Sequence, residues 1–111
     1  MSQFLIIVRG SDHSTASPEE MQKRMALFGE WMQKVLDGRY VGGAPLEETD
    51  ARFFKSKNEV LTDGPFMESK EMISGYVVIN ANDIQEATEL TIQCPLLGQF
   101  QLELRKLKPM M

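Results

Sequence analysis

One stretch of this chain of 111 residues, TDGPFMESKE, gathers several residues able to do chemistry. It brings Asp63, Glu68, Lys70 and Glu71 close together in sequence. A carboxylate in a partly apolar cleft has a raised pKa, and a neighbouring ammonium lowers it again. Such a group can move a proton or grip a small polar ligand. In an extended segment Glu68 and Lys70 share one side and Glu71 takes the other, so Glu68 and Lys70 are the candidate pair, with Asp63 beside them. The plainer reading keeps the same residues as a turn. Asp63 then bonds local amides, Gly64 takes a conformation other residues avoid, Pro65 fixes the exit angle and Phe66 fills the core. The charged residues that follow would be a solvated edge.

Other candidates are scattered. His13 in the loop GSDHST is the one side chain with an ordinary pKa near neutrality; it is a candidate acid or base, with a plain surface position as the simpler expectation. Arg9 and Arg105 should lie on neighbouring strands, where they could bind an anionic group or pair with Glu103, and pairing is the expectation. One histidine and one cysteine far apart cannot make a zinc site, and the acidic residues lack calcium-loop spacing, so no metal and no cofactor is expected. GGAP has no following lysine and helix to cradle phosphate. Cys94, before Pro95 at a helix end, reads as a small buried residue rather than a nucleophile.

The elements that must hold these residues are legible in the pattern. QFLIIVR is apolar on both faces and predicts a central strand. SPEE starts a helix, with Ser17 as N-cap and Pro18 in the first turn. Met21, Met25, Phe28, Met32 and Val35 recur at spacings of three and four, an apolar stripe expected in the core of a helix reaching about Asp37. Gly38 suits its left-handed cap. YVGGAPL predicts an irregular strand with a bulge or close backbone approach at Gly42 and Gly43. Residues 51–55 and 59–61 predict a hairpin turning at Lys57 and Asn58. GYVVINA is a second two-faced strand. Asp83 caps a second helix, lined inside by Ala87, Leu90 and Cys94, and FQLELRKL alternates as a last strand.

Two strand–helix–strand units with right-handed crossovers give an α+β, ferredoxin-like sandwich with an inserted hairpin, in one domain spanning residues 1–111. Both helices would cover the same face of the sheet. Strands apolar on both faces then require cover for the other face, which a second sheet in a homodimer supplies. Twelve basic and sixteen acidic residues give a net charge of −4, and no basic run appears. That argues against direct binding to nucleic acid or to an anionic membrane. The short apolar run after MSQ is no signal peptide and no membrane span, and a cytoplasmic protein is expected.

LTDGPFMESKEMISGYVVINANDIQEA closely resembles the signature of the YCII-related domain family in its DGPF-domain branch, and SPEEM, VGGAPL and the closing ELR support the likeness. The resemblance implies a dimeric α+β barrel on the ferredoxin-like fold, in bacteria. Some relatives are connected with extracytoplasmic-function sigma factors. Others in the wider family are thought to be enzymes with a catalytic His–Asp pair. This chain departs from those: Leu27 and Phe28 stand where the helix histidine would fall, which leaves Asp37 without a partner, and Lys106 replaces the usual proline after Arg105. The favoured function is a small-molecule-binding or regulatory accessory protein with a cleft between sheet and dimer partner. The alternatives are a cofactor-free enzyme using Asp63, Glu68 or His13, and a sigma-factor partner. Asp63, Glu68, Lys70, Arg9 and Arg105 are the candidate contacts to a small polar ligand.

Overall fold

The computed structural model describes residues 1–10, 17–47, 49–62 and 72–110. Four strands form one antiparallel sheet: β1 (Ser2–Arg9), β2 (Tyr40–Pro45), β5 (Ile73–Ala81) and β6 (Gln101–Lys106). Their order is β2-β5-β1-β6, the ferredoxin-like arrangement, and β3 (Arg52–Ser56) and β4 (Glu59–Thr62) make a separate hairpin between β2 and β5. Lys57 and Asn58 form its turn as expected.

Alternation divides the two central strands cleanly. Phe4, Ile6 and Val8 of β1 and Val77, Ile79 and Ala81 of β5 are buried on the helix side. Leu102 and Leu104 of β6 pack against that core, paired with Val8 and Ile6. The opposite face carries Leu5 and Ile7, paired with Val78 and Tyr76. These are half-buried or exposed in the single chain, so the apolar character on both faces of the strands leaves one face that α1 and α2 do not cover.

Helix α1 (Pro18–Glu30) begins at Ser17, whose hydroxyl accepts the Glu20 amide at 3.2 Å. It does not run unbroken to Asp37. A π-helical turn, Trp31–Val35, follows, closed by Leu36 N–H to the Trp31 carbonyl at 3.0 Å. The reason is burial. At about 100° per residue, five steps of α-helix would leave two side chains roughly 140° apart. The wider turn lets Trp31 and Leu36 both enter the core. Gly38 then leaves with φ +72°, the left-handed cap its type favours. The expected core stripe is corrected at its N-terminal half. Phe28, Met32 and Val35 pack on the core, but Met21 and Met25 are 48% and 74% exposed, because α1 touches the core only near its C-terminal end.

Helix α2 (Ile84–Ile92) is capped by Asp83, whose carboxylate accepts the Glu86 amide at 2.8 Å. Ala87, Leu90 and Cys94 are buried beneath it as the pattern implied. Glu86 also pairs with Arg39, tying the start of β2 to this helix. The Asn82 amide bond first, and Arg39 second, hold the Glu86 carboxyl below its usual pKa.

The expected irregularity in β2 is present. The register shifts between Tyr40 and Gly42, and Gly43 lies opposite Val77. A side chain at Gly43 would strike the Tyr76 carbonyl and come within 3.0 Å of the Val77 Cα, both backbone, whereas one at Gly42 meets open space. Gly43→Ala is therefore expected to cost about 1–3 kcal/mol and Gly42→Ala less than about 0.5 kcal/mol, measured by chemical denaturation. Equal losses at the two positions would show that the close approach does not matter.

Candidate functional site

Among the described residues α1 packs on the core near its C-terminal end, and a cleft opens between its N-terminal half and the sheet. Its volume is ≈ 520 Å³. Met21, Met25, Phe28 and Met32 form the helix wall. The floor is Val8, Gly75 and Val77, closed at one side by Tyr40 and Gly43. Leu96 and Phe100, after α2, make the far end. Polar residues are sparse along this lining: Arg24, Tyr40, Ser74 and Gln99, with Tyr76 reaching it from a position whose side chain alternates to the opposite face. The methionine stripe expected to be core thus serves largely as a cleft wall, and Trp31 packs inside while Phe28 leans on it, ring centroids 5.6 Å apart at 40°.

This cleft lies on the helix side of the sheet. The cleft expected between the sheet and a dimer partner belongs to the opposite face. Arg24 and the two outer methionines were not among the residues singled out as ligand contacts. The signal that could have found them is the stripe's composition: three methionines on one face suit an adaptable surface as well as a core.

The structure brings Arg9, Glu103 and Arg105 together on the open face. The Arg9 Nε donates to Glu103 Oε1 at 2.9 Å, and an Arg105 guanidinium N–H donates to Oε2 at 3.3 Å. Both arginines pair with Glu103, as expected. The bond from Arg9, then that from Arg105, holds the Glu103 carboxyl below its ordinary pKa of 4.5. Burial pushes the Cys94 thiol up, which suits a packed residue and not a nucleophile. Among the described residues, no three His, Cys, Asp or Glu side chains stand close enough to share a metal ion.

His13, Asp63, Glu68 and Lys70 lie outside the described residues. The described chain ends next to them are joined: Gly10 N–H donates to the Met72 carbonyl at 2.8 Å, and the Ser74 hydroxyl donates to the Gly10 carbonyl. Ser74 is itself part of the cleft lining.

A family model, the YCII-related domain, matches residues 2–111. The chain belongs to the YCII-related domain family. No curated protein matches it in sequence. Among solved structures, this YCII-related domain is similar to 5-chloro-2-hydroxyhydroquinone dehydrochlorinase from Burkholderia phenoliruptrix, in complex with 2,5-dihydroxybenzoquinone. The match covers 96% of this chain and 93% of that one, with a TM-score of 0.56 and 14% identity. Such a likeness shows a shared fold. In this YCII-related domain no helix among the described residues is long and apolar enough to cross a membrane.

The Glu103 cluster makes a pH-dependent contribution whose sign is set by its lowered carboxyl pKa. The unfolded chain binds the proton first as pH falls. The contribution is therefore complete above about pH 4.5 and is lost as pH drops through the lower folded value. The melting temperature of Glu103→Gln should fall below wild type at pH 7, and the gap should close below pH 4.5. A gap that stays constant down to the acid limb would remove the charge pairing as its cause.

Proposed function

We propose that this YCII-related domain, of the DGPF branch, binds a small molecule in the cleft under α1. The observation that carries the reading is the cleft itself: ≈ 520 Å³, walled by methionine and aromatic side chains, with few polar groups. Small-molecule sites commonly fall in this size range and have this balance of apolar wall and sparse polar contacts. Methionines adapt to ligand shape, and sulfur–aromatic contacts add to apolar burial. Asp63, Glu68 and Lys70 are proposed as further contacts at the rim, in support of which their segment is followed by Met72, bonded to Gly10 beside the cleft residue Ser74. The same proximity supports the second reading, acid–base catalysis without cofactor by Asp63, Glu68 or His13. The solved relative with a bound quinone is an enzyme, and turnover of small ring compounds would separate the two readings.

The assembly proposed is a homodimer, sheet face against sheet face, forming an α+β barrel. Its support is the open face, where Leu5, Ile7, Tyr76 and Val78 form an apolar centre that α1 and α2 leave uncovered. A sigma-factor connection, cytoplasmic location and bacterial origin rest on the resemblance and the composition alone.

A thermal-shift screen of metabolites tests the binding reading. A ligand at 100 times its dissociation constant stabilises the fold by about 2.7 kcal/mol. Met25→Glu should abolish that shift, while its own cost stays within about 0.5 kcal/mol because the residue is exposed. A ligand that stabilises wild type and Met25→Glu equally is bound elsewhere. If Glu68→Gln and Lys70→Met also keep the full shift, those two residues leave the site.

Sedimentation equilibrium at micromolar concentration should give twice the chain mass of 12.6 kDa. A well-folded monomer there would end the barrel reading.

A further inference from the structure

Among the described residues lining the cleft, Arg24 alone is charged. It sits on α1 between Met21 and Phe28, one step from Met25, so the turns of the helix set a guanidinium within the methionine and phenylalanine wall. The aspartates and glutamates of the described chain contribute nothing to that lining. A guanidinium is a planar cation with five N–H donors. Half-buried beside an apolar wall, it attracts an anion more strongly than at an open surface.

We propose that the ligand of this cleft is an aromatic carboxylate, its ring against Phe28, Phe100 and the methionine sulfurs and its carboxylate on Arg24. The inference rests on the cleft being a binding site and names the chemistry of what it binds. A guanidinium fork matches a carboxylate through two parallel N–H···O bonds, a geometry that a single phenolate oxygen or a neutral amide does not offer. Arg24 already makes a contact within the chain. Its five N–H donors allow it to keep that contact and hold a ligand as well. Ring and thioether walls favour a flat aromatic body over a flexible alkyl chain, which would lose more rotational freedom on binding. The whole chain carries a charge of −4, so it repels anions at long range. A preference for an anion in this cleft therefore has a local source.

The test is calorimetric titration of the full chain with naphthoate, with neutral naphthamide of nearly the same shape, and with octanoate. Wild type should bind naphthoate about 10- to 100-fold more tightly than naphthamide, the range of a charged hydrogen-bonded pair. Arg24→Met should erase that difference and leave naphthamide unchanged, and Arg24→Lys should keep part of it. Methionine has a helix propensity close to that of arginine, so Arg24→Met preserves α1; unchanged melting of the free variant checks this. Should that variant unfold, the wild-type ratio and Arg24→Lys decide alone. Equal binding of naphthoate and naphthamide to wild type, or a difference that survives Arg24→Met, overturns the carboxylate assignment and leaves the cleft as a binding site. Octanoate binding as tightly as naphthoate overturns the aromatic class. Binding of none of the three overturns the assignment and counts against the cleft reading too.

Discussion

The anchoring of Trp31 decides the geometry of everything on the helix side of the sheet. Its indole is 3% exposed, and its Nε1–H donates to the Leu90 carbonyl at 3.0 Å, from the end of one helix to the last turn of the other. A buried indole without that acceptor would cost about 1–3 kcal/mol, so the bond and the burial fix one another. The π-helical turn follows from this anchor, since Leu36 must be buried five residues later. Single-turn π-bulges within helices are often found at functional sites. Here the bulge holds the C-terminal end of α1 down, while the thirteen residues before it bury no side chain fully. A helix pinned at one end diverges from the sheet at the other, and the wedge between them is the cleft.

The two faces of the sheet are consequently unlike. One is covered by α2 and by the end of α1, with the cleft beside them. The other has an apolar centre at Leu5, Ile7 and Val78 and a charged edge at Arg9, Glu103 and Arg105. Two guanidiniums share one carboxylate there, which leaves that edge net positive on a chain that is net negative. The pairs are partly exposed, so they add little to stability. Their effect is positional: Arg9 reaches Glu103 from the neighbouring strand and Arg105 from two residues along the same strand, which ties β1 to β6 at this edge.

Much of this was legible from residue types. Ser17 and Asp83 cap helices because each has an oxygen that reaches an amide two or three residues on, a local property. Gly38 at the helix end and the turn at Lys57 and Asn58 are equally local. Gly42 and Gly43 marked the bulge, though only the structure shows that Gly43 alone faces backbone. What sequence could not supply was tertiary. Periodicity shows that Met21 and Met25 share a face with Phe28, but not whether anything is packed against that face. The π-turn depends on Leu90, far away along the chain. Arg24 falls next to the apolar stripe in sequence and reads as an ordinary surface residue until the gap beneath α1 is seen. Of the residues singled out as site candidates, Arg9 and Arg105 behave as the pairing expectation had it. His13, Asp63, Glu68 and Lys70 lie beyond the described chain.

Strand β5 links these separate features. Gly75 and Val77 belong to the cleft floor, while alternation gives Val78 to the open face, so one strand serves both sides of the sheet. Its pairing is constrained on both edges: β1 runs along one in near-continuous register, and Gly43 of β2 lies close against Tyr76 and Val77 along the other. A one-residue slip would exchange the two faces. It would turn Val77 out to the open side and bring Val78 onto the helix core. The same backbone contact that forbids a side chain at Gly43 therefore fixes which residues of β5 line the cleft. The floor is set by backbone packing, while the roof, carried on the N-terminal half of α1, is set by side chains of which none is fully buried.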